Sequence, residues 1–111
     1  VPVIRHAEAL DIWQCAVELS RLSKAARAGQ ATREELSGST ISITSLGALG
    51  GITTTPIINH PEVPIIGPNK LVERPVIQGN FVTVRKTMNI SSSFDHRVVD
   101  GYDAALFVQG L

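Results

Sequence analysis

The sequence predicts an α/β protein of the two-layer α+β kind, in which helices cover a mixed sheet. Three observations predict it: one long helical period near the start, a series of β-rich runs after it, and a second helical pattern at the end. There are no internal repeats and no low-complexity tracts.

Val1-Pro2-Val3-Ile4 reads as the inside of a strand. Ile12, Cys15, Ala16, Leu19, Leu22 and Ala26 then recur at spacings of three and four, with Asp11, Gln14, Glu18, Arg21 and Lys24 largely off that stripe. The pattern predicts an amphipathic helix over residues 9–28, whose expected role is packing on a sheet. Gly29 stands just past its end, and Lys24 and Arg27 suit the negative end of the helix dipole. Thr32 and Glu35 have capping-box spacing and predict a helix of one or two turns. After Gly38, the β-branched run Thr40-Ile41-Ser42-Ile43-Thr44 reads as a strand.

Leu46-Gly47-Ala48-Leu49-Gly50-Gly51 lacks both the GxGxxG of a dinucleotide fold and the lysine of a P-loop, so it reads as a loop where backbone comes close to something. From residue 57 to 77 an apolar segment follows, set about by Pro56, Pro61, Pro64, Pro68 and Pro75. Proline cannot donate to a ladder, so this strand is expected at an edge, or broken around Pro64 and Pro68. Gln78-Gly79-Asn80 predicts a hairpin turn. Residues 81–94 read as one alternating run, with Val82, Val84, Met88, Ile90 and Phe94 on one face. Within it, Ser91-Ser92-Ser93 suits a cavity lining or a tightly packed strand equally well. Ala104-Ala105-Leu106-Phe107-Val108 reads as a helix interrupted soon after its start. With no initiator Met and a strand-like opening, the chain is expected to be a fragment of a larger one.

Composition narrows the function. The chain has 111 residues, 43% hydrophobic and 18% charged, which is globular rather than disordered. Ten basic residues balance ten acidic ones, so nothing steers it toward nucleic acid or an anionic membrane. No apolar run nears the roughly 20 residues that span a bilayer, and no secretory signal is visible. A lone Cys15 excludes an internal disulfide and fits a reducing compartment. His6 and His60 stand without Cys or His partners at ligand spacing, so no metal is expected. Trp13 and Tyr102 read as packing or interface residues rather than a base-stacking surface.

The chemistry collects near the end. Phe94-Asp95-His96-Arg97-Val98-Val99-Asp100-Gly101 puts an imidazole at a strand end, with Asp-Gly four and five residues later. Alone, HxxxDG is moderately specific, and a lone histidine is more often structural. The wider stretch from Ser91 to Gly101 resembles the active-site signature of dihydrolipoamide acyltransferases. Ile43-Thr44-Ser45-Leu46-Gly47-Ala48-Leu49-Gly50-Gly51 resembles their glycine-rich motif. Pro56-Ile57-Ile58-Asn59-His60-Pro61-Glu62-Val63 and Val1-Pro2-Val3-Ile4 resemble two more, all in family order.

The resemblance implies the C-terminal part of a chloramphenicol acetyltransferase-like catalytic domain, residues 1–111, with lipoyl and subunit-binding domains absent. It implies acyl transfer between dihydrolipoamide, carried on a separate lipoyl domain, and coenzyme A as co-substrate. His96 becomes the general base, and Thr44 the oxyanion donor where the family usually has serine, with Ser45 as fallback. Asp100 holds the histidine loop or caps a helix. Thr44, Ser45, Asn69 and Leu71 become coenzyme A contacts, while Pro64 and Pro68 depart from the family pattern near Asn69.

The resemblance also implies a homo-oligomer built from trimers, with His96 of one chain facing Thr44 of the next. Decarboxylase and dihydrolipoamide dehydrogenase components are the expected partners. The expected location is the bacterial cytoplasm, or the mitochondrial matrix for a eukaryotic protein. Bacterial branched-chain acyltransferases are the nearest resemblance, acetyltransferases the next. Two rival readings stand beside this one: another HxxxDG acyltransferase of the same fold, and a scaffold that keeps the fold without catalysis.

Overall fold

The computed structural model describes residues 1–111, apart from the side chain of Ala48, and divides into two units, Val1–Thr40 and Ile41–Leu111. The first is organised by helix α1, Ile12–Arg27. Asp11 starts it with a reciprocal cap: its carboxylate accepts the Gln14 N–H at 2.7 Å, and the Gln14 carbonyl oxygen accepts the Asp11 N–H at 2.9 Å. Gly29, at φ 68, ends it, letting Gln30 N–H reach back to the Ala25 carbonyl at 2.9 Å. Leu22 is fully buried, with Cys15, Glu18, Ala25 and Ala26 half-buried along its line. The expected stripe is therefore only partly inward. Ile12, Ala16 and Leu19 are exposed, and so are Trp13 and Val17.

Thr32 and Glu35 make the reciprocal cap their spacing predicts, at 2.9 and 3.3 Å, on a single 3-10 turn, Glu34–Leu36. Arg21 donates to Glu18 at 2.7 Å and to Glu35 at 2.8 Å, tying the helix to this turn. Both carboxyls are held below their ordinary pKa, Glu18 chiefly by Arg21 and Glu35 chiefly by the Thr32 N–H. Val1-Pro2-Val3-Ile4 is not a strand. Its backbone meets the 3-10 turn instead of a partner strand, through Val3 N–H and the Glu35 carbonyl at 2.8 Å.

The second unit carries two sheets. Strands β1 (Ser42–Ile43), β2 (Pro64–Pro68) and β5 (Ile90–Phe94) form one, in the order β1-β2-β5, while β3 (Val72–Gln78) and β4 (Phe81–Thr87) pair as a hairpin. Strand β1 runs parallel to β2, and β5 antiparallel to it. The strand expected over 40–44 thus keeps only two residues. The proline-punctuated segment is broken as expected, with β2 confined between Pro64 and Pro68 and β3 starting only at Val72, but β2 is central rather than at an edge. Pro64 and Pro68 sit at its two ends, and Ile65, Ile66 and Gly67 between them are buried.

Gly79, at φ 63, takes the first turn position of the predicted hairpin. The run 81–94 is not one strand. It breaks at Met88 and Asn89, where the chain leaves β3 and takes up β2 as its partner. Helix α2, Gly101–Gln109, packs on β5 through an edge-on contact of Phe107 with Phe94, ring centroids 6.0 Å apart. Among the described residues no helix is long and apolar enough to cross a membrane.

Candidate active site

The three-stranded sheet has two differently occupied faces. Cross-strand partners share a face, so Ile65 and Gly67 lie with Ser93 and Ser91. Over that face runs segment 51–56, here called the strap. Asn89 Nδ2 donates to the Ile52 carbonyl at 3.0 Å, Ser91 Oγ accepts the Thr54 N–H at 3.2 Å, and Ser93 Oγ donates to the Pro56 carbonyl at 2.6 Å. A Cβ on Gly67 would lie 2.9 Å from Thr54 Oγ1, so the strap fits closely because residue 67 has no side chain. Of the two readings left open for the serine run, close packing is the observed one. Ser91 and Ser93 are stitches.

Residues Thr44 and Ser45 leave the sheet just before the glycine-rich loop. Thr44 N–H donates to the Ile66 carbonyl at 2.9 Å, and its side chain is exposed. Ser45 Oγ accepts the Gly47 N–H at 3.2 Å. The loop forms a 3-10 turn, Gly47–Leu49, opened by Gly47 at φ 55. It is tied down again at Gly51, whose carbonyl accepts the N–H of Lys70, two residues past β2, at 3.1 Å.

At the other end of the sheet, Asp95 N–H donates to the Val63 carbonyl at 3.0 Å, extending β5 by one residue. The chain then turns: Val98 and Val99 N–H both return to the Asp95 carbonyl, at 2.9 and 3.0 Å. Arg97 donates to the Asp95 carboxylate from its guanidinium, at 2.6 Å, and from its backbone, at 3.0 Å. These bonds hold the Asp95 carboxyl down at about 2. His96 stands between the two, exposed, and forms no hydrogen bond among the described residues. Asp100 is the N-cap of α2, accepting the Asp103 N–H at 2.9 Å. It makes no bond to the histidine turn among the described residues.

The structure thus gathers Thr44, Ser45, Asn69 and Leu71 at one end and His96 with Asp100 at the other. Thr44 continues the register to Gly67, and Asp95 pairs with Val63. Those rows are four residue steps apart, about 13 Å at roughly 3.3 Å per residue, and two strand spacings add about 10 Å sideways. His96 and Thr44 of one chain are therefore well beyond hydrogen-bond reach of each other. Leu71 is exposed, whereas Asn69 is buried. Its Nδ2 lies 3.2 Å from the Gly67 carbonyl, 3.0 Å from the Asn89 carbonyl and 2.9 Å from Ser91 Oγ. Sequence reading missed this cluster, whose members are far apart in the chain. No group of three or more His, Cys, Asp or Glu residues able to hold a metal occurs among the described residues.

A helix-backed mixed sheet with a strand-end histidine after a glycine-rich loop is an arrangement that this chain shares with solved acyltransferase cores, which places it in the class of acyltransferase catalytic folds. The chain belongs to the family described as 2-oxoacid dehydrogenases acyltransferase (catalytic domain), matched over residues 1–111. It is 63% identical, over its full length, to the lipoamide acyltransferase component of the branched-chain alpha-keto acid dehydrogenase complex of Pseudomonas aeruginosa, and 65% identical to that of Pseudomonas putida. It spans about a quarter of each, 26%. Among solved structures it resembles the dihydrolipoamide acetyltransferase of Azotobacter vinelandii, with a TM-score of 0.93 and 38% identity over 98% of this chain and 45% of that one. In that enzyme a serine, a histidine and an asparagine have been investigated for their roles in the catalytic mechanism.

Proposed function

We propose that this chain takes part in acyl transfer between dihydrolipoamide and coenzyme A within a 2-oxo acid dehydrogenase complex. The acyl group is of the branched-chain type, with acetyl as the alternative. One observation carries the assignment of residues. Thr44, His96 and Asp100 follow one another at the same intervals as the serine, histidine and asparagine of the Azotobacter vinelandii enzyme. Identity to the Pseudomonas branched-chain components supports the acyl class.

The chemistry follows from the residues. A free thiol has a pKa near 8.5, so only about 3% is thiolate at pH 7. The exposed His96 imidazole takes the proton as the thiol sulfur attacks the thioester carbonyl, forming a new C–S bond and a tetrahedral oxyanion. The Thr44 hydroxyl, with Ser45 beside it, donates to that oxyanion. Collapse breaks the donor's C–S bond, and the imidazolium returns its proton to the departing sulfur.

Because one chain holds His96 and Thr44 at opposite ends of its sheet, the working site pairs His96 of one copy with Thr44 of another. Coenzyme A lies along Thr44, Ser45 and the exposed Leu71 as a substrate, with the buried Asn69 behind them, and the lipoyl arm arrives from the His96 side on a separate domain. A trimer-based homo-oligomer, the decarboxylase and dihydrolipoamide dehydrogenase components, and a reducing, cytoplasmic setting complete the proposal.

The test uses the full-length protein that carries this sequence. Acetyl, isobutyryl, isovaleryl and succinyl thioesters of coenzyme A are offered with dihydrolipoamide, and the same panel is run on His96→Ala. A branched-chain preference is expected, with a loss of about 10²- to 10⁴-fold in the variant. Full activity in His96→Ala would remove the general-base role. No transfer from any donor by assembled protein would leave only the scaffold.

A further inference from the structure

The loop that carries Thr44 and Ser45 hangs from two points. One is the Thr44 N–H on the Ile66 carbonyl, and the other is the Gly51 carbonyl on the Lys70 N–H. Both anchors lie on one short stretch of chain, from the middle of β2 to just past its end. At that end the ladder weakens, because Pro68 has no N–H to give. Asn69 takes over. Its backbone N–H reaches the Asn89 carbonyl at 3.0 Å, and its side-chain amide reaches that carbonyl, the Gly67 carbonyl and Ser91 Oγ. Two carbonyl acceptors around one atom require that atom to be the amide nitrogen. Ser91 Oγ in turn accepts the strap's Thr54 N–H. One buried amide, 9% exposed, thus joins β2, β5 and the strap in the same row of the sheet as Thr44.

We propose that Asn69 is a positioning residue: through Ser91 and the end of β2 it fixes both anchors of the Thr44 loop, and so sets where the Thr44 hydroxyl stands when the oxyanion forms. The inference rests on the acyl-transfer reading above. Its amide nitrogen is committed inside the protein, so its effect on the reaction runs through Thr44 and not through a bond from that nitrogen to coenzyme A. A misplacement of about 1 Å at a reacting group can cost on the order of 10²-fold. Asn69 is built to prevent a shift of that kind.

The experiment is a double-mutant cycle on the full-length assembled protein, read as kcat and KM with the preferred acyl donor. Asn69→Ala is expected to lower kcat by about tenfold to a hundredfold with little change in KM. In a Thr44→Ala background the same substitution is expected to cost almost nothing more. A structural role alone would cost as much in either background, and that result overturns the proposal, as does unchanged kcat in Asn69→Ala. Should Asn69→Ala fail to assemble, Ser91→Ala carries the same cycle and the same two outcomes, since it removes the hub's shared acceptor with little change in volume. An unimpaired Thr44→Ala protein would instead sink the oxyanion role itself, a failure distinguishable because it appears before residue 69 is touched.

Discussion

At residue 96 the imidazole is left free while its neighbours on both sides are engaged with each other. The Asp95–Arg97 pair holds the turn, and its pKa consequence can be checked directly. The carboxyl sits at about 2, against an ordinary 3.8, first because of the Arg97 guanidinium and then because of the Arg97 N–H. The folded value is depressed, so the stabilisation is complete above the unfolded pKa, near 3.9, and fades as pH falls through about 2. Following the Asp95 carboxyl carbon by NMR should show that low midpoint in the native protein. In Arg97→Gln the midpoint should climb toward the ordinary value, stopping short because the backbone donor remains. A wild-type midpoint near 4 would mean that the pair does not hold the turn in solution. Asp100 is testable beside it. As a cap, Asp100→Ala should cost about 1 kcal/mol by denaturant titration, while Asp100→Asn should cost only a few tenths. The asparagine variant should also keep its transfer activity, since an amide oxygen can cap the helix as the carboxylate does.

Among the elements, the close fit of the strap makes Gly67 the most sensitive site. Gly67→Ala would place a methyl 2.9 Å from Thr54 Oγ1 and 3.5 Å from Pro56 Cγ. Such overpacking costs about 1–3 kcal/mol, and thermal melting should show it. Gly67→Ala combined with Thr54→Ala should recover much of the loss, and an equal loss in the pair would place the strain elsewhere. Local signals in the sequence were sound. The C-terminal end of α1 at Gly29, the Thr32–Glu35 cap and the Gly79 turn each depend on residues within a few positions of one another, whereas α1 starts at Ile12 rather than Ala9, behind the Asp11 cap. Non-local pairing was not legible. The alternation of Val82, Val84, Met88, Ile90 and Phe94 continues through the break at Met88 and Asn89, because a period of two records which face a side chain takes and not which strand lies beside it. The prolines do break their segment, confining β2 to Pro64–Pro68, but they do not put it at an edge, because at the strand ends they cost the central ladder little. Asn69, Ser91 and Thr54 meet only after the chain has doubled back, so no spacing rule could find them.

For the whole molecule, the separation of His96 from Thr44 within one chain has a consequence for mixed assemblies. If each site takes its histidine from one copy and its hydroxyl from the next, two dead chains complement each other. Full-length His96→Ala and Thr44→Ala proteins, each nearly inactive alone, would be unfolded together, mixed in equal amounts and reassembled. At a closed ring of heterologous contacts, a working site needs its histidine from a Thr44→Ala chain and its hydroxyl from a His96→Ala chain. With random assortment that combination occupies about a quarter of the contacts, so activity should return to about a quarter of the wild-type level. A site completed within one chain gives no recovery at any mixing ratio, because every chain in the mixture lacks one of the two groups. The dependence on ratio adds a second check. Recovery must peak at equal mixing and fall symmetrically to either side, as the product of the two fractions, whereas residual activity of one variant would change linearly with its share.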